Sequence, residues 1–213
     1  MRFIIYLFCG LMTMPLSAAY QCESPDDSVY DAIVRVGGDG TEATGVVIDK
    51  NLVLMAAHVV HDIESSIRVG YHGNHTPATV VAMFPEYDLA LISAYTGNLK
   101  PLASSNQSLY PQERVWTIGY PRAGNLTIDS GVFKSEIEPG EIHVTAFVDS
   151  GQSGGGLVSC EYGQFVLSGM IKGFGAIDYG DHYVRLADYS VAVPASDIRS
   201  FVDQNQELIT VEY

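Results

Sequence analysis

Residues 148–160, VDSGQSGGGLVSC, distinguish between two architectures for this chain. A serine between glycines can precede a helix, in a fold of alternating strands and helices, or precede another strand, in an antiparallel β fold. The glycines at 154–156 make a poor helix start, because glycine has low helix propensity, and LVSC suits a strand. Taken alone, the stretch also fits a passive turn, since Gly, Ser and Asp are common turn residues.

The flanking chain consists of short apolar runs separated by turns, with no helical segments alternating between them. This spacing indicates an all-β protein built as an antiparallel barrel or sandwich. Pro, Ser and Asn replace the apolar runs at 97–112, which predicts two β halves, about 28–98 and 112–194, joined by a linker. The predicted strands are AIVRVGG, ATGVVID, LVLMAAH, SIRVGY, ATVVAMF and LALISA, followed by RVWTIGY, LTIDSGVFKS, EIHVTAFV, GGLVSC, FVLSGMI and YVRLADYSVAV.

One helix is predicted at the C-terminal end, about residues 196–208. Pro194 ends the last strand, and Ser196 can cap a helix. Ile198, Phe201 and Val202 then fall on one face, which would pack against the β halves.

The charge balance is acidic, with 11 Lys and Arg against 25 Asp and Glu in 213 residues. Binding to a nucleic-acid backbone needs clustered Lys and Arg, so no nucleic-acid partner is expected. The spacing of the histidines at 61, 72 and 75 is loose and lacks a completing set of ligands, which favours solvated loop residues and predicts no metal or other cofactor.

The first residues are typical of a targeting segment. Arg2 is followed by an apolar run, and small residues precede a predicted cleavage near Ala19, so residues 1–19 are expected to be a signal peptide. The apolar run is too short to span a membrane, which predicts a secreted or periplasmic product with no membrane span. Of the cysteines left, Cys22 and Cys160 would form one disulfide in an oxidising compartment or remain two buried thiols.

Three side chains could carry covalent chemistry. His58 ends an apolar strand, and Asp88 directly precedes a buried strand, where a carboxylate needs a partner such as an imidazole N–H. Ser153 lies between glycines that free the backbone, so the N–H groups of Gly151 and Ser153 could stabilise one oxyanion. Together these residues fit a nucleophile, a base and a group that orients the base.

The chain resembles the trypsin-like serine proteases of the chymotrypsin fold and is most similar to the protease domain of the HtrA (Deg) group. The resemblance covers about residues 32–202. It rests on TGVVID (44–49), LMAAHVV (54–60), YDLALI (87–92), TIGYPRAGNLTIDSGVFKS (117–135), SGQSGGGLV (150–158) and SVAVPASDI (190–198).

The resemblance implies two six-stranded antiparallel β-barrels, with the catalytic cleft between them, in a trypsin-like serine protease domain over residues 20–213. It implies His58 as general base, Asp88 as its orienting partner and Ser153 as nucleophile. The oxyanion N–H groups would be those of Gly151 and Ser153. The product would be an endopeptidase acting through an acyl-enzyme on polypeptide substrates.

The resemblance also assigns the residues around the substrate. The segment 167–172 would pair with an extended substrate, so Ser168, Gly169 and Met170 are expected substrate contacts. Phe147 stands where trypsin has the aspartate that selects basic residues, which predicts a small or medium apolar preference instead.

Two departures from the family pattern change what is expected. In pancreatic-type enzymes the residue before the nucleophile is an aspartate, which forms an ion pair with the new N-terminus after zymogen cleavage. Gln152 stands at that position, so activation by this ion pair is not expected. The chain ends soon after its predicted helix, so PDZ-guided processive cleavage is not expected.

Two alternatives stay open. A protease-like binding protein would keep the fold without cutting its ligand. A hydrolase with a G-x-S-x-G turn would use His182 with Asp178 or Asp181, but it needs a helix directly after Ser153.

Overall fold

The computed structural model describes residues 22–63, 66–138 and 140–211, except the side chains of residues 210 and 211. The predicted signal peptide, residues 1–19, lies outside the described residues. The cleavage predicted near Ala19 lies outside them as well.

Six strands of the first half close into an antiparallel barrel in the order β1-β2-β3-β6-β5-β4. The continuous apolar run of β3 is buried at every position, as expected for a strand covered on both faces. The six strands are β1 (Ile33–Gly38), β2 (Thr41–Asp49), β3 (Leu52–Ala56), β4 (Arg68–Tyr71), β5 (Asn74–Phe84) and β6 (Leu89–Ala94).

The second half forms another closed barrel in the order β10-β11-β12-β9-β8-β7. The predicted fold, two six-stranded antiparallel barrels, is therefore confirmed. The strands are β7 (Arg114–Gly119), β8 (Thr127–Glu138), β9 (Glu141–Val144), β10 (Gly156–Glu161), β11 (Gln164–Asp178) and β12 (Tyr183–Pro194).

The hairpin of β11 and β12 is longer than the sequence predicted. The expected strand ended at Ile171, but β11 continues to Asp178 and pairs with Tyr183 at the far end of β12. Gly173 and Gly175 conceal the extension, because glycine is depleted in strands, and the pairing continues through register shifts at Lys172 and Gly175. The additional strand borders the candidate site.

The C-terminal segment forms two helices where one was predicted. They are α3 (Ala195–Gln204) and α4 (Gln206–Val211), and they follow two short helices, α1 (Asp27–Tyr30) and α2 (Ala57–His61). The Asn205 side chain donates to the Phe201 carbonyl, and the Asn205 N–H donates to the Val202 carbonyl, which ends α3. Ser196 lies inside α3 and is not its cap, since Pro194 occupies that position.

The apolar face of α3 was predicted correctly. Ile198 and Phe201 are buried in the core, and Val202 packs against it. No helix among the described residues has the length and apolar character needed to cross a membrane.

The disulfide expected from the cysteine count is present between Cys22 and Cys160, with their Cα atoms 5.8 Å apart. It ties the segment before α1 to β10, so the alternative of two free thiols is wrong. The linker also joins both halves, because the Leu102 N–H donates to Val47 and the Leu167 N–H donates to Ala103.

Candidate active site

His58 and Asp88 form the best-defined contact of the site. His58 lies at the start of α2, and Asp88 follows the 3-10 turn at Pro85–Tyr87. One carboxylate oxygen accepts the His58 backbone N–H at 2.8 Å, and the other lies 2.8 Å from Nδ1 of the ring. The Asp88 side chain is 7% exposed and that of His58 is 47% exposed. The carboxylate therefore holds the imidazole from the buried side and leaves its other side open.

The Asp88 carboxylate also sets the electrostatics of the imidazole. Its hydrogen bond is the largest cause that raises the pKa of His58, and its negative charge adds to that effect. Partial burial of the ring and the positive charge of Lys172 act in the opposite direction. With Nδ1–H donating to the carboxylate, the neutral ring carries its lone pair on Nε2, which is the arrangement a general base requires.

The loop that carries Ser153 is fixed to both barrels. The hydroxyl of Thr44 in β2 donates to the Gly151 carbonyl at 2.8 Å, and the Thr44 N–H donates to the Ser153 carbonyl at 3.1 Å. Gly154 donates to the Ile171 carbonyl at 2.8 Å. Gly151 has φ +90° and Gly154 has φ +84°, a region that side chains other than glycine rarely adopt. The glycines that made this stretch resemble a passive turn are thus required by its backbone.

The Ser153 hydroxyl donates to the Lys172 carbonyl at 3.2 Å. Within the described ranges, no hydrogen bond joins this hydroxyl to the His58 ring. The structure therefore brings two of the three predicted side chains into direct contact, and it places the third against β11. Such contacts are often long in a free enzyme and tighten when substrate binds.

Two backbone donors of the same loop are unused. The N–H groups of Gln152, Gly154 and Gly155 all donate to backbone carbonyls. Those of Gly151 and Ser153 donate no hydrogen bond to any residue that the structure describes. Unused donors two residues apart on a constrained loop are suited to an oxygen that acquires negative charge.

Gln152 is buried, 1% exposed, and its side chain bridges the loop to β8. Its carbonyl oxygen accepts the Asp149 N–H at 2.7 Å, and its amide donates to the Thr127 hydroxyl at 3.3 Å. A neutral side chain thus holds the loop by hydrogen bonds within the second barrel. No ion pair with a new chain terminus is needed to satisfy this position.

The predicted substrate contacts Ser168, Gly169 and Met170 do not lie at a free edge. Gly169 pairs with Leu157 of β10 on one side and with Pro194 of β12 on the other, and Met170 is likewise paired on both sides. Ser168 and Met170 are also buried, at 3% and 0% exposure. These three residues therefore cannot accept an added strand, and this expectation is corrected.

The free edge begins further along β11. Pairing with β10 ends at Met170, whereas pairing with β12 continues to Asp178. Among the described strands, residues 172–175 thus have a neighbour on one side only, and this segment begins beside the Ser153 hydroxyl. The segment predicted to pair with substrate, 167–172, includes only the first of these residues, because the glycines that follow conceal the strand extension.

Phe147 is half exposed, and its ring stacks on the guanidinium of Arg185, which also stacks on Phe174. Sequence reasoning did not identify Arg185. It lies far from Ser153 in the chain, within a run that predicted only a strand, so only the pairing of β12 with β11 brings it near the loop.

His61, His72 and His75 are not gathered into one set of ligands among the described residues. His72 lies 3.1 Å from a carboxylate oxygen of Asp31. In the part of the chain that the structure describes, no group of three or more His, Cys, Asp or Glu side chains is arranged to hold a metal ion.

The alternative hydrolase pair is not assembled beside Ser153. His182 contacts its neighbour Asp181 and stacks on Tyr179 at the exposed end of the β11–β12 hairpin. Ser153 is followed by β10 and not by a helix, which contradicts the hydrolase alternative.

Comparison with known proteins gives matches in sequence and in structure. Residues 43–166 match the sequence profile of the family described as the trypsin-like peptidase domain. The serine protease Do-like HtrB of Bacillus subtilis (strain 168) is 26% identical to this chain over 172 residues. That alignment covers 73% of this chain and 36% of the relative, so the chain spans about a third of that protein's length.

Solved structures match over most of the chain. The serine endoprotease from Yersinia pestis has a TM-score of 0.70 at 21% identity, covering 86% of this chain and 68% of that one. The inactive form of the Rv3671c protease, from M. tuberculosis H37Rv, has a TM-score of 0.65 at 22% identity, covering 85% and 96%. At these identities the matches establish a shared fold.

Proposed function

This chain belongs to the family of trypsin-like peptidase domains, and we propose that it is a serine endopeptidase that acts through an acyl-enzyme on Ser153. The observation that carries the proposal is the buried Asp88 carboxylate, which holds the His58 ring and backbone with two 2.8 Å contacts. It is supported by the glycine-constrained loop around Ser153, with its unused donors at Gly151 and Ser153.

In the proposed acylation step, the Ser153 hydroxyl leaves the Lys172 carbonyl and turns to Nε2 of His58. Its oxygen attacks the carbonyl carbon of the scissile peptide bond while its proton passes to Nε2. The negative charge that develops on the substrate oxygen is stabilised by the N–H groups of Gly151 and Ser153. Each such donor contributes roughly 3 kcal/mol in comparable sites.

The same proton completes the first half of the reaction. His58 gives it to the leaving amine as the C–N bond breaks, which leaves an ester on Ser153. A water molecule then loses a proton to His58 and attacks the ester, and the acid product departs as Ser153 regains its proton. Asp88 stabilises the imidazolium in both halves.

The proposed substrate is an extended polypeptide that pairs with the free edge of β11 at residues 172–175. Backbone pairing there would place the scissile carbonyl beside Ser153, because the Lys172 carbonyl already lies 3.2 Å from its hydroxyl. The site requires no cofactor for this chemistry.

We further propose that the protein works outside the cytoplasm, secreted or in a periplasm. The Cys22–Cys160 disulfide supports this location, because disulfides persist in oxidising compartments. Fractionation of the source cells would check the proposal, and a purely cytoplasmic pool with reduced cysteines would contradict it.

Labelling with a fluorophosphonate probe tests the proposed catalysis. The folded wild-type chain is expected to be labelled at Ser153, whereas Ser153→Ala and His58→Ala are expected to lose labelling. Ser200→Ala is a matched control on the exposed face of α3 and should be labelled like the wild type. Absence of Ser153-dependent labelling would refute the enzyme proposal and leave the protease-like binding protein.

A further inference from the structure

Arg185 carries a guanidinium that contacts two aromatic rings. Its Cζ atom lies 4.1 Å from the ring centre of Phe147 and 4.0 Å from that of Phe174. Stacking of this kind stabilises a cation and fixes the plane of the guanidinium. The N–H groups of a guanidinium lie in its plane and point outward along its edges, and the Arg185 side chain keeps 27% of its surface exposed.

The edge donors of Arg185 meet a single carboxylate among the described residues. Within residues 22–63, 66–138 and 140–211, the Arg185 side chain makes no hydrogen bond, and its one ion pair is to Asp149 at 3.8 Å. Asp149 already has two other partners, because its Oδ1 accepts the Ser150 N–H at 2.8 Å and its Oδ2 lies 2.8 Å from Nε of Arg122 in an ion pair. Two arginines and one carboxylate leave a net positive charge at this point.

This charge lies between the two segments that border Ser153. Phe147 precedes the Ser153 loop, and Phe174 belongs to the free edge of β11 just after Lys172. In a peptide paired with that edge, side chains would alternate between its two faces, and with the scissile carbonyl at Ser153 the side chain of the attacked residue would be directed between these segments. The end of that side chain would therefore meet the edge of the Arg185 guanidinium.

We propose that Arg185 is a specificity-determining residue that selects an acidic side chain, Glu or Asp, on the acyl side of the scissile bond. A carboxylate matches the planar fork of N–H donors, and contact with the two aromatic rings holds the guanidinium in place. The inference rests on the proposed endopeptidase function and names its substrate class. It replaces the apolar preference expected from Phe147, because the guanidinium covers that ring.

Matched fluorogenic substrates test the preference. Two acetylated peptides end in aminomethylcoumarin, which is the leaving group and so fixes the bond that is cut. They are identical except that the residue before the leaving group is Glu in one and Gln in the other. The wild type is expected to give a kcat/KM about 10- to 100-fold higher for Glu, typical of a charged hydrogen bond. Arg185→Gln should remove that difference, and Arg185→Glu should favour a Lys substrate over the Glu substrate.

Arg114→Gln is the matched control, because Arg114 also stacks on an aromatic ring, that of Trp116, but at the start of β7. It should keep the Glu-to-Gln ratio of the wild type. Equal rates for the Glu and Gln substrates, a preference for Gln or Lys in the wild type, or an unchanged ratio in Arg185→Gln would each overturn the proposal.

A binding measurement separates this inference from the proposed catalysis. Calorimetry with Ser153→Ala protein uses the two product peptides, which end in free Glu or free Gln. Tighter binding of the Glu peptide, by about tenfold or more, and its loss in Ser153→Ala/Arg185→Gln would support the inference even if no labelling of Ser153 were found. Equal binding of the two peptides would overturn it even if the chain proved to be an active peptidase.

Discussion

Asp88→Asn is the substitution that most directly tests the geometry of the candidate site. The carboxylate accepts two hydrogen bonds of 2.8 Å, from the backbone N–H and from Nδ1–H of His58. An amide of the same shape has only one oxygen, so its NH₂ group must face one of the two nitrogens. The backbone N–H cannot give up its proton, so the NH₂ group is expected to face Nδ1.

The ring must then carry its proton on Nε2, which presents a donor to Ser153 in place of a lone pair. Loss of the correct tautomer in a triad of this kind lowers kcat by about 10⁴-fold, equivalent to about 5 kcal/mol in the barrier. The fold should persist, because Asp88 has φ +59° and asparagine tolerates this conformation well. The pKa of His58 should fall, since the Asp88 hydrogen bond is the largest cause that raises it.

The assay is kcat/KM over a range of pH on the matched coumarin substrates, together with NMR titration of the His58 ring. Asp203→Asn is the control, because Asp203 lies exposed on α3 and should behave as the wild type. If Asp88→Asn kept its activity within tenfold of the wild type and the titration of His58 were unchanged, the proposed role of the carboxylate in orienting the imidazole would be refuted.

Three further outcomes are expected. Activity of the wild type should fall on acidification with a midpoint above the ordinary histidine value, because the pKa of His58 is raised and only its neutral form accepts a proton; a midpoint below that value would contradict this. Gly154→Ala should lower the melting temperature much more than Gly40→Ala. Both glycines have φ +84°, but only at Gly154 would a Cβ come within 2.2 Å of a backbone oxygen, that of Thr44. Equal changes in melting temperature would exclude this contact as the cause. Replacing Cys22 and Cys160 by serine should lower the free energy of unfolding measured in urea by up to about 5 kcal/mol, because the disulfide spans a separation of 138 residues. An unchanged free energy of unfolding would show that the disulfide constrains the unfolded chain little.

Much of the fold follows from the alternation of short apolar runs with turns. All twelve predicted strands are present, because apolar runs bounded by Gly, Pro and Asn have few other ways to bury their surface. The extension of β11 beyond Ile171 was missed, because glycine weakens the local pattern that indicates a strand. Pairing with β12 keeps this segment extended as far as Asp178. The single predicted helix became two for a similar reason, because Asn205 ends α3 through contacts with its own backbone.

The candidate site divides along the same line. His58, Asp88 and Ser153 could be named as candidates from the sequence, because each is a reactive residue type within a recognisable short motif. The contact of His58 with Asp88, the unused N–H groups of the Ser153 loop and the closed pairing around Gly169 depend on how the barrels bring distant segments together. Arg185 is the clearest case, since its stacking between Phe147 and Phe174 joins three separate segments. By itself the sequence determined which strands form and which side chains are candidates for catalysis. The tertiary structure decided where β11 loses its second neighbour among the described strands and which rings contact Arg185, because strand pairing and ring stacking are long-range contacts that local pattern does not encode.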